Sequence, residues 1–116
     1  MTEDKSNYFI SRWKSQLKKG LFEYIIMLLL QNKERYGYEL ISEIKNQFDM
    51  DIADGTIYPL LNRLKKESLV ESRWVEMEEG IPRKYYTITK TGKAYLEEMY
   101  TYLGELMKSI SEVKTK

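Results

Sequence analysis

Between Val70 and Ile88 the chain changes period, and that change limits the folds open to it more than any other feature. Val70, Ser72, Trp74 and Glu76 alternate with Glu71, Arg73, Val75 and Met77, the two-residue repeat of a strand. Glu78-Glu79-Gly80-Ile81-Pro82 then supplies turn residues, and Arg83-Lys84-Tyr85-Tyr86-Thr87-Ile88 returns as a second β-rich run. The spacing predicts a hairpin with a five-residue tip. A lone two-stranded hairpin is marginal in water, so this one must lean on helices. The rest of the 116 residues reads at helical spacing, which makes the expected fold mainly α with a small β-hairpin.

The first helix is expected from Tyr8 to about Gln31, where Phe9, Trp13, Leu17, Leu21, Tyr24 and Leu28 recur three or four residues apart without a proline. Its second half, Tyr24 to Leu30, is apolar nearly all round and belongs at the centre of the core. Tyr36-Gly37-Tyr38 reads as a turn before a short second helix with Leu40, Ile41, Ile44 and Phe48 on one face. The acids from Asp49 to Asp54 suit the capping of a third helix, whose Ile57, Leu60, Leu61 and Leu64 share one face. Pro59 is expected in or near its first turn, where a missing N–H does least harm. Thr89 offers an N-cap to a last helix in which Leu96, Met99, Leu103, Leu106, Ile110 and Val113 are spaced 3, 4, 3, 4, 3. That a/d seam has to pack on its own core or on another copy. The reading favours another copy, with Phe9, Trp13 and Leu17 of the first helix closing over the pair.

What the chain lacks narrows its chemistry. It has no cysteine and no histidine, so no thiolate or imidazole metal site, cysteine nucleophile or Ser-His-Asp relay can be built, and an enzyme is not expected. No cofactor is expected either. Asp49, Asp51 and Asp54 resemble a calcium loop only in part, because Ala53 and Leu60 stand where ligands are needed. Glu78 and Glu79 at a wet hairpin tip have no burial to tune them for acid catalysis. The opening MTEDKSNYF has no apolar run to act as a secretory signal. The longest apolar run, Tyr24 to Leu30, is far below the roughly 20 residues of a membrane span. A cytoplasmic, membrane-free protein is the expectation.

The formal net charge of +1 conceals an uneven distribution. Residues 1–20 carry +3, 21–54 carry −4, 55–93 carry +3 and 94–116 carry −1. A polyanion responds to local patches, not to the total. The order of helix, helix, helix, β-hairpin and helix, with cations on the third helix and beside the hairpin tip, describes a winged helix-turn-helix. A helix of this kind fits a major groove while the hairpin reaches the neighbouring backbone. Thr56, Tyr58, Asn62, Arg63 and Lys66 are expected to face the groove, and Tyr38 at the head of the second helix is counted with them. Asn62 suits an adenine edge, and Arg63 suits either guanine or a phosphate. Arg83 and Lys84 are expected on phosphates. Lys14, Lys18 and Lys19 are weaker candidates. A dimeric protein-interaction adaptor using the same fold without nucleic acid is the alternative, with the acids of 49–54 in its contact surface.

Gly55-Thr56-Ile57-Tyr58-Pro59-Leu60-Leu61-Asn62-Arg63-Leu64, Tyr36-Gly37-Tyr38-Glu39-Leu40, Arg83-Lys84-Tyr85-Tyr86-Thr87-Ile88-Thr89 and Gly92 together resemble the PadR family of bacterial transcriptional regulators. The match runs from about Lys19 to Gly92. The short length and single last helix are similar to the smaller PadR subfamily, whose members dimerise through the first and last helices. The resemblance implies a homodimeric, ligand-released repressor on a palindromic operator of double-stranded DNA. It divides the chain into a DNA-binding domain over 8–90 and a dimerisation helix over 91–116, packed as one unit. The dimer set is then Phe9, Trp13, Leu17, Leu96, Met99, Leu103, Leu106 and Ile110. Drug-binding short members carry a tryptophan where this chain has Leu103, so no aromatic sandwich forms there. Trp13, Tyr95, Met99, Tyr102 and Met107 are left to line a cavity between subunits for a small aromatic effector.

Overall fold

The computed structural model describes residues 2–116, with side chains from Asn7 onward. In order, the elements are α1 (Thr2–Leu30), β1 (Arg35–Tyr36), α2 (Gly37–Phe48), α3 (Asp54–Lys66), β2 (Val70–Val75), β3 (Arg83–Ile88) and α4 (Lys90–Lys114). The expected winged helix-turn-helix is present: four helices around one small antiparallel sheet of order β1-β3-β2.

The core forms where the apolar periods of α1, α2 and α3 meet. Ile25, Ile26, Met27, Leu29 and Leu30 of α1, Leu40 and Ile44 of α2, and Ile57, Leu61 and Leu64 of α3 are buried together with Val70 and Tyr86 of the sheet. Leu60, assigned to the same face of α3, sits at its edge and is only partly buried.

Several boundaries differ from expectation for local reasons. The turn at Tyr36 begins with a two-residue strand, in which Arg35 pairs with Tyr86 and Tyr36 with Tyr85. Two residues are too few to display a period, so β1 left no trace in the pattern. Strand pairing in the hairpin stops at Val75↔Arg83, which makes the connecting loop 76–82 seven residues long instead of five. Pro59 lies in the second turn of α3. Its ring withholds a donor from the Gly55 carbonyl, and Gly55 lies on the exposed side of the helix, where the loss is least costly.

Capping also differs from expectation at one end. Residue Ala53 occupies the α3 N-cap without a side-chain bond, while Asp54 in the first turn complements the helix dipole. Asp49 instead closes α2 in the left-handed conformation (φ 53°), its N–H donating to the Lys45 carbonyl at 3.0 Å while the Met50 N–H reaches the Ile44 carbonyl at 3.5 Å. At α4 the expected cap is in place. The Thr89 hydroxyl oxygen accepts from the Gly92 N–H at 2.9 Å and donates to the Ser68 carbonyl at 2.7 Å. Gly92 is required there, since a Cβ would lie 2.2 Å from the Leu69 carbonyl oxygen.

The last helix divides its seam. Leu96 is 3% exposed and belongs to the core of its own chain, which removes it from the expected dimer set. Met99 is partly buried against that core and Leu103 is half-buried. Leu106, Ile110 and Val113 are exposed, Val113 by 71%. On α1, Phe9, Trp13 and Leu17 are exposed as well, whereas Phe22, Ile25, Ile26, Met27, Leu29 and Leu30 are buried.

Candidate nucleic-acid interface

The site is assembled by α3, the first turn of α2 and the near end of the hairpin. Along α3 the buried positions Ile57, Leu61 and Leu64 fix which side turns outward, and at 3.6 residues per turn Gly55, Asn62 and Lys66 point away from them. Tyr58 and Asn62 then face the wing, while Thr56 and Arg63 fall on the opposite flank, toward α1. Tyr38, Tyr58, Asn62, Arg83 and Lys84, five of the eight expected DNA contacts, line one groove together with Tyr36, Gly37, Trp74 and Tyr86. Thr56 and Lys66 are exposed on α3 outside that groove, and Arg63 points elsewhere.

Tyr58 is not a free reader. Its ring packs on the head of α2, where a Cβ on Gly37 would come within 2.3 Å of the phenol oxygen. Burial, then the neighbouring Tyr38 and Asp54, raises its pKa. Tyr86 is raised by burial and by Tyr58. Both phenols therefore stay neutral well above pH 7 and add no negative charge to the groove. Tyr38 remains exposed at the rim.

The wing cations rest on aromatic faces. The Arg83 guanidinium lies 4.5 Å from the Tyr36 ring centroid, and the Lys84 ammonium lies 5.6 Å from Trp74 and 5.9 Å from Tyr86. Such contacts hold a cation in place without neutralising it. Neither Arg83 nor Lys84 has a carboxylate within ion-pair distance among the described residues. Loop 76–82, by contrast, holds Glu76, Glu78 and Glu79 and no cation. Positive charge is thus offered where β3 begins and negative charge within the loop that precedes it, where Glu79 lines the same groove.

Two cations counted in the basic block 55–93 are already engaged by the acidic block. Arg63 donates to Glu23 of α1 at 2.7 Å, and Arg73 Nε donates to Glu34 at 3.0 Å, which holds the Glu34 carboxyl below its ordinary range. Glu43 is spent on Arg35, and Asp49 and Asp51 on Lys45 at 3.2 and 3.5 Å. Much of the −4 block therefore binds the head to itself. The Arg63–Glu23 and Arg73–Glu34 pairs join residues about 40 apart in sequence, and no local pattern announces them. Tyr36 and Trp74 were also missed. For Trp74 the signal was there: in a hairpin it shares a face with Lys84.

Among the described residues no group of His, Cys, Asp or Glu side chains is placed to hold a metal ion. No helix there is long and apolar enough to cross a membrane.

The model of the transcriptional regulator PadR-like family matches residues 25–98. A solved PadR-like transcription factor from Bacteroides fragilis is 39% identical and superposes with a TM-score of 0.76 over 88% of this chain and 98% of its own. A PadR family transcriptional regulator from Eggerthella lenta superposes with a TM-score of 0.86, at 26% identity over 94% and 95% of the two chains. An uncharacterised protein of Lysinibacillus sphaericus is 38% identical over 103 residues, 87% of this chain and 88% of its own.

Proposed function

The chain belongs to the PadR-like family of transcriptional regulators, DNA-binding proteins by fold and family, and from that premise we propose that it is a homodimeric repressor of a palindromic operator, released by a small aromatic ligand. The observation that carries the DNA half is the convergence of Asn62, Tyr38, Arg83 and Lys84 on one groove, in which neither wing cation forms an ion pair among the described residues although Glu79 lines the groove as well. Asn62 reads a base edge in the major groove, and Arg83 and Lys84 hold phosphates.

The dimer rests on the two uncovered apolar stripes, Phe9, Trp13 and Leu17 on α1 and Leu106, Ile110 and Val113 on α4. A two-fold copy covers both and sets two α3 helices one DNA turn apart, about 34 Å, which is why the operator is a palindrome. Met99 and Leu103 sit at the inner edge of that contact. Residues 8–90 serve as the DNA-binding part and 91–116 as the dimerisation helix. Trp13, Tyr95, Tyr102 and Met107 are exposed in the single chain and, with Met99, become the lining of a ligand site once the partner is in place.

The test is a duplex from upstream of the protein's own gene, with binding measured against salt. Arg83 and Lys84 from two protomers make four phosphate contacts and contribute about −3.6 to the log–log slope, enough by themselves to lower affinity roughly a hundredfold between about 50 and 200 mM salt. A flat salt response would return the chain to the adaptor reading. A reporter behind that duplex should rise when the protein is deleted; a fall would make it an activator.

A further inference from the structure

We propose that Glu23 is a positioning residue, which turns Arg63 of the reading helix away from the bases and sets it as a clamp for one backbone phosphate. The inference deepens the DNA-binding reading and rests on it. The sequence left Arg63 open between guanine and phosphate, and three observations decide between them. First, Arg63 lies on the flank of α3 that carries Thr56, seven residues earlier, and not on the side where Asn62 looks into the groove. Second, the Glu23 carboxylate on α1 holds the guanidinium at that flank by a 2.7 Å charged hydrogen bond. Third, the pair is wet, with the Arg63 and Glu23 side chains 55% and 38% exposed, so an incoming oxyanion can reach it.

The chemistry of the side chain supports two partners at once. Glu23 engages one terminal nitrogen, and the fork of a guanidinium carries five N–H donors, so donors remain for a phosphate. A base edge would need the fork to extend along the outward axis of α3, and that extension breaks the bond to Glu23. A phosphate at the junction of α3 and α1 needs no such break. Lys19 stands one turn before Glu23 on the same face of α1 and adds a second cation to that edge. An arginine held in advance loses less freedom on binding, which is how the carboxylate helps despite its own charge.

The experiment uses two duplexes of equal length, one selected by the wild-type chain from a random pool and one unrelated, with salt titrations of wild type, Arg63→Ala, Glu23→Ala and the double variant. Arg63→Ala should weaken both duplexes by the same factor and lower the salt slope by about 0.9 per protomer bound, so that each lost contact shrinks the affinity ratio between 50 and 200 mM salt about 3.5-fold. Glu23→Ala should weaken both duplexes by a smaller common factor and have no effect once Arg63 is gone. Glu23→Gln, whose amide oxygen can still accept from the guanidinium, should restore part of the loss. Loss confined to the selected duplex would make Arg63 a base reader and overturn the proposal. Additive variants, or tighter binding by Glu23→Ala, would overturn it as well, because the carboxylate would then only repel DNA. A wild-type chain that binds neither duplex would remove the DNA-binding reading itself. Thermal melting of each variant separates these outcomes from unfolding.

Discussion

The head of the molecule and its two long helical arms are built from similar residues but finished differently. In the head, Ile26, Leu40, Ile44, Ile57, Leu61 and Tyr86 are shut away from water, and acids of α1 and α2 and of the loops beside them find cations on α2, α3 and the sheet. On the arms, Tyr8, Phe9, Trp13, Leu106, Met107, Ile110 and Val113 stand in solvent. An apolar surface of that extent, rimmed by charge, is what an interaction site looks like. The difference teaches that one chain completes a DNA-reading module but does not complete its own hydrophobic burial.

The boundary between the two regions runs through α4, and the largest expected effect tests where it lies. Leu96→Ala opens a hole in the core and should cost about 2–5 kcal/mol of folding stability. Because Leu96 is buried within its own chain, the loss should appear at every protein concentration in a denaturant titration. A loss that faded as protein concentration rose would place Leu96 at a subunit contact, where the seam spacing alone would have put it.

That residue also illustrates how much the sequence could say. The seam on α4 was legible as a seam, since spacing is local information. Its division between two partners was not, because Leu96 and Leu106 look alike until the position of α1 is known. The hairpin, the buried face of α3 and the Thr89 cap were legible for the same reason that they are short-range. The groove was half legible: Asn62, Arg83 and Lys84 follow from the helix face and the wing, but the packing of Tyr58 on Gly37 brings together residues 21 apart. The charge blocks misled in one respect. They located positive charge at 55–93 correctly, yet Arg63 and Arg73 in that block are held by Glu23 and Glu34, near 40 residues upstream.

A second prediction acts on the arms alone. Leu106→Asp combined with Ile110→Asp puts charge into the exposed stripe, where neither side chain supports the head. Sedimentation should report the mass of one chain for the variant and of two for the wild type, while the far-ultraviolet spectrum stays helical. Operator binding should fall with it, since a single α3 contacts one half-site. An unchanged mass would remove the arm stripe as the dimer contact and leave its exposure unexplained.

The smallest effect belongs to the head and serves as the counterpart of the last. Ser68, between α3 and β2, adopts a left-handed backbone (φ 63°), which an ordinary side chain enters at a cost of about 1 kcal/mol. The strain is imposed from both sides: the Ser68 N–H bonds the Lys65 carbonyl as α3 closes, and its own carbonyl accepts from the Thr89 hydroxyl that caps α4. Ser68→Gly keeps both backbone bonds and relieves the side-chain clash, although glycine gives back part of the gain by loosening the unfolded chain. The denaturant midpoint should therefore rise by an amount worth at most about 1 kcal/mol, with an unchanged slope and an unchanged mass in sedimentation. A shift in assembly instead of midpoint would mean that the α3–β2 corner is coupled to the arms, and that the head is not a self-contained module.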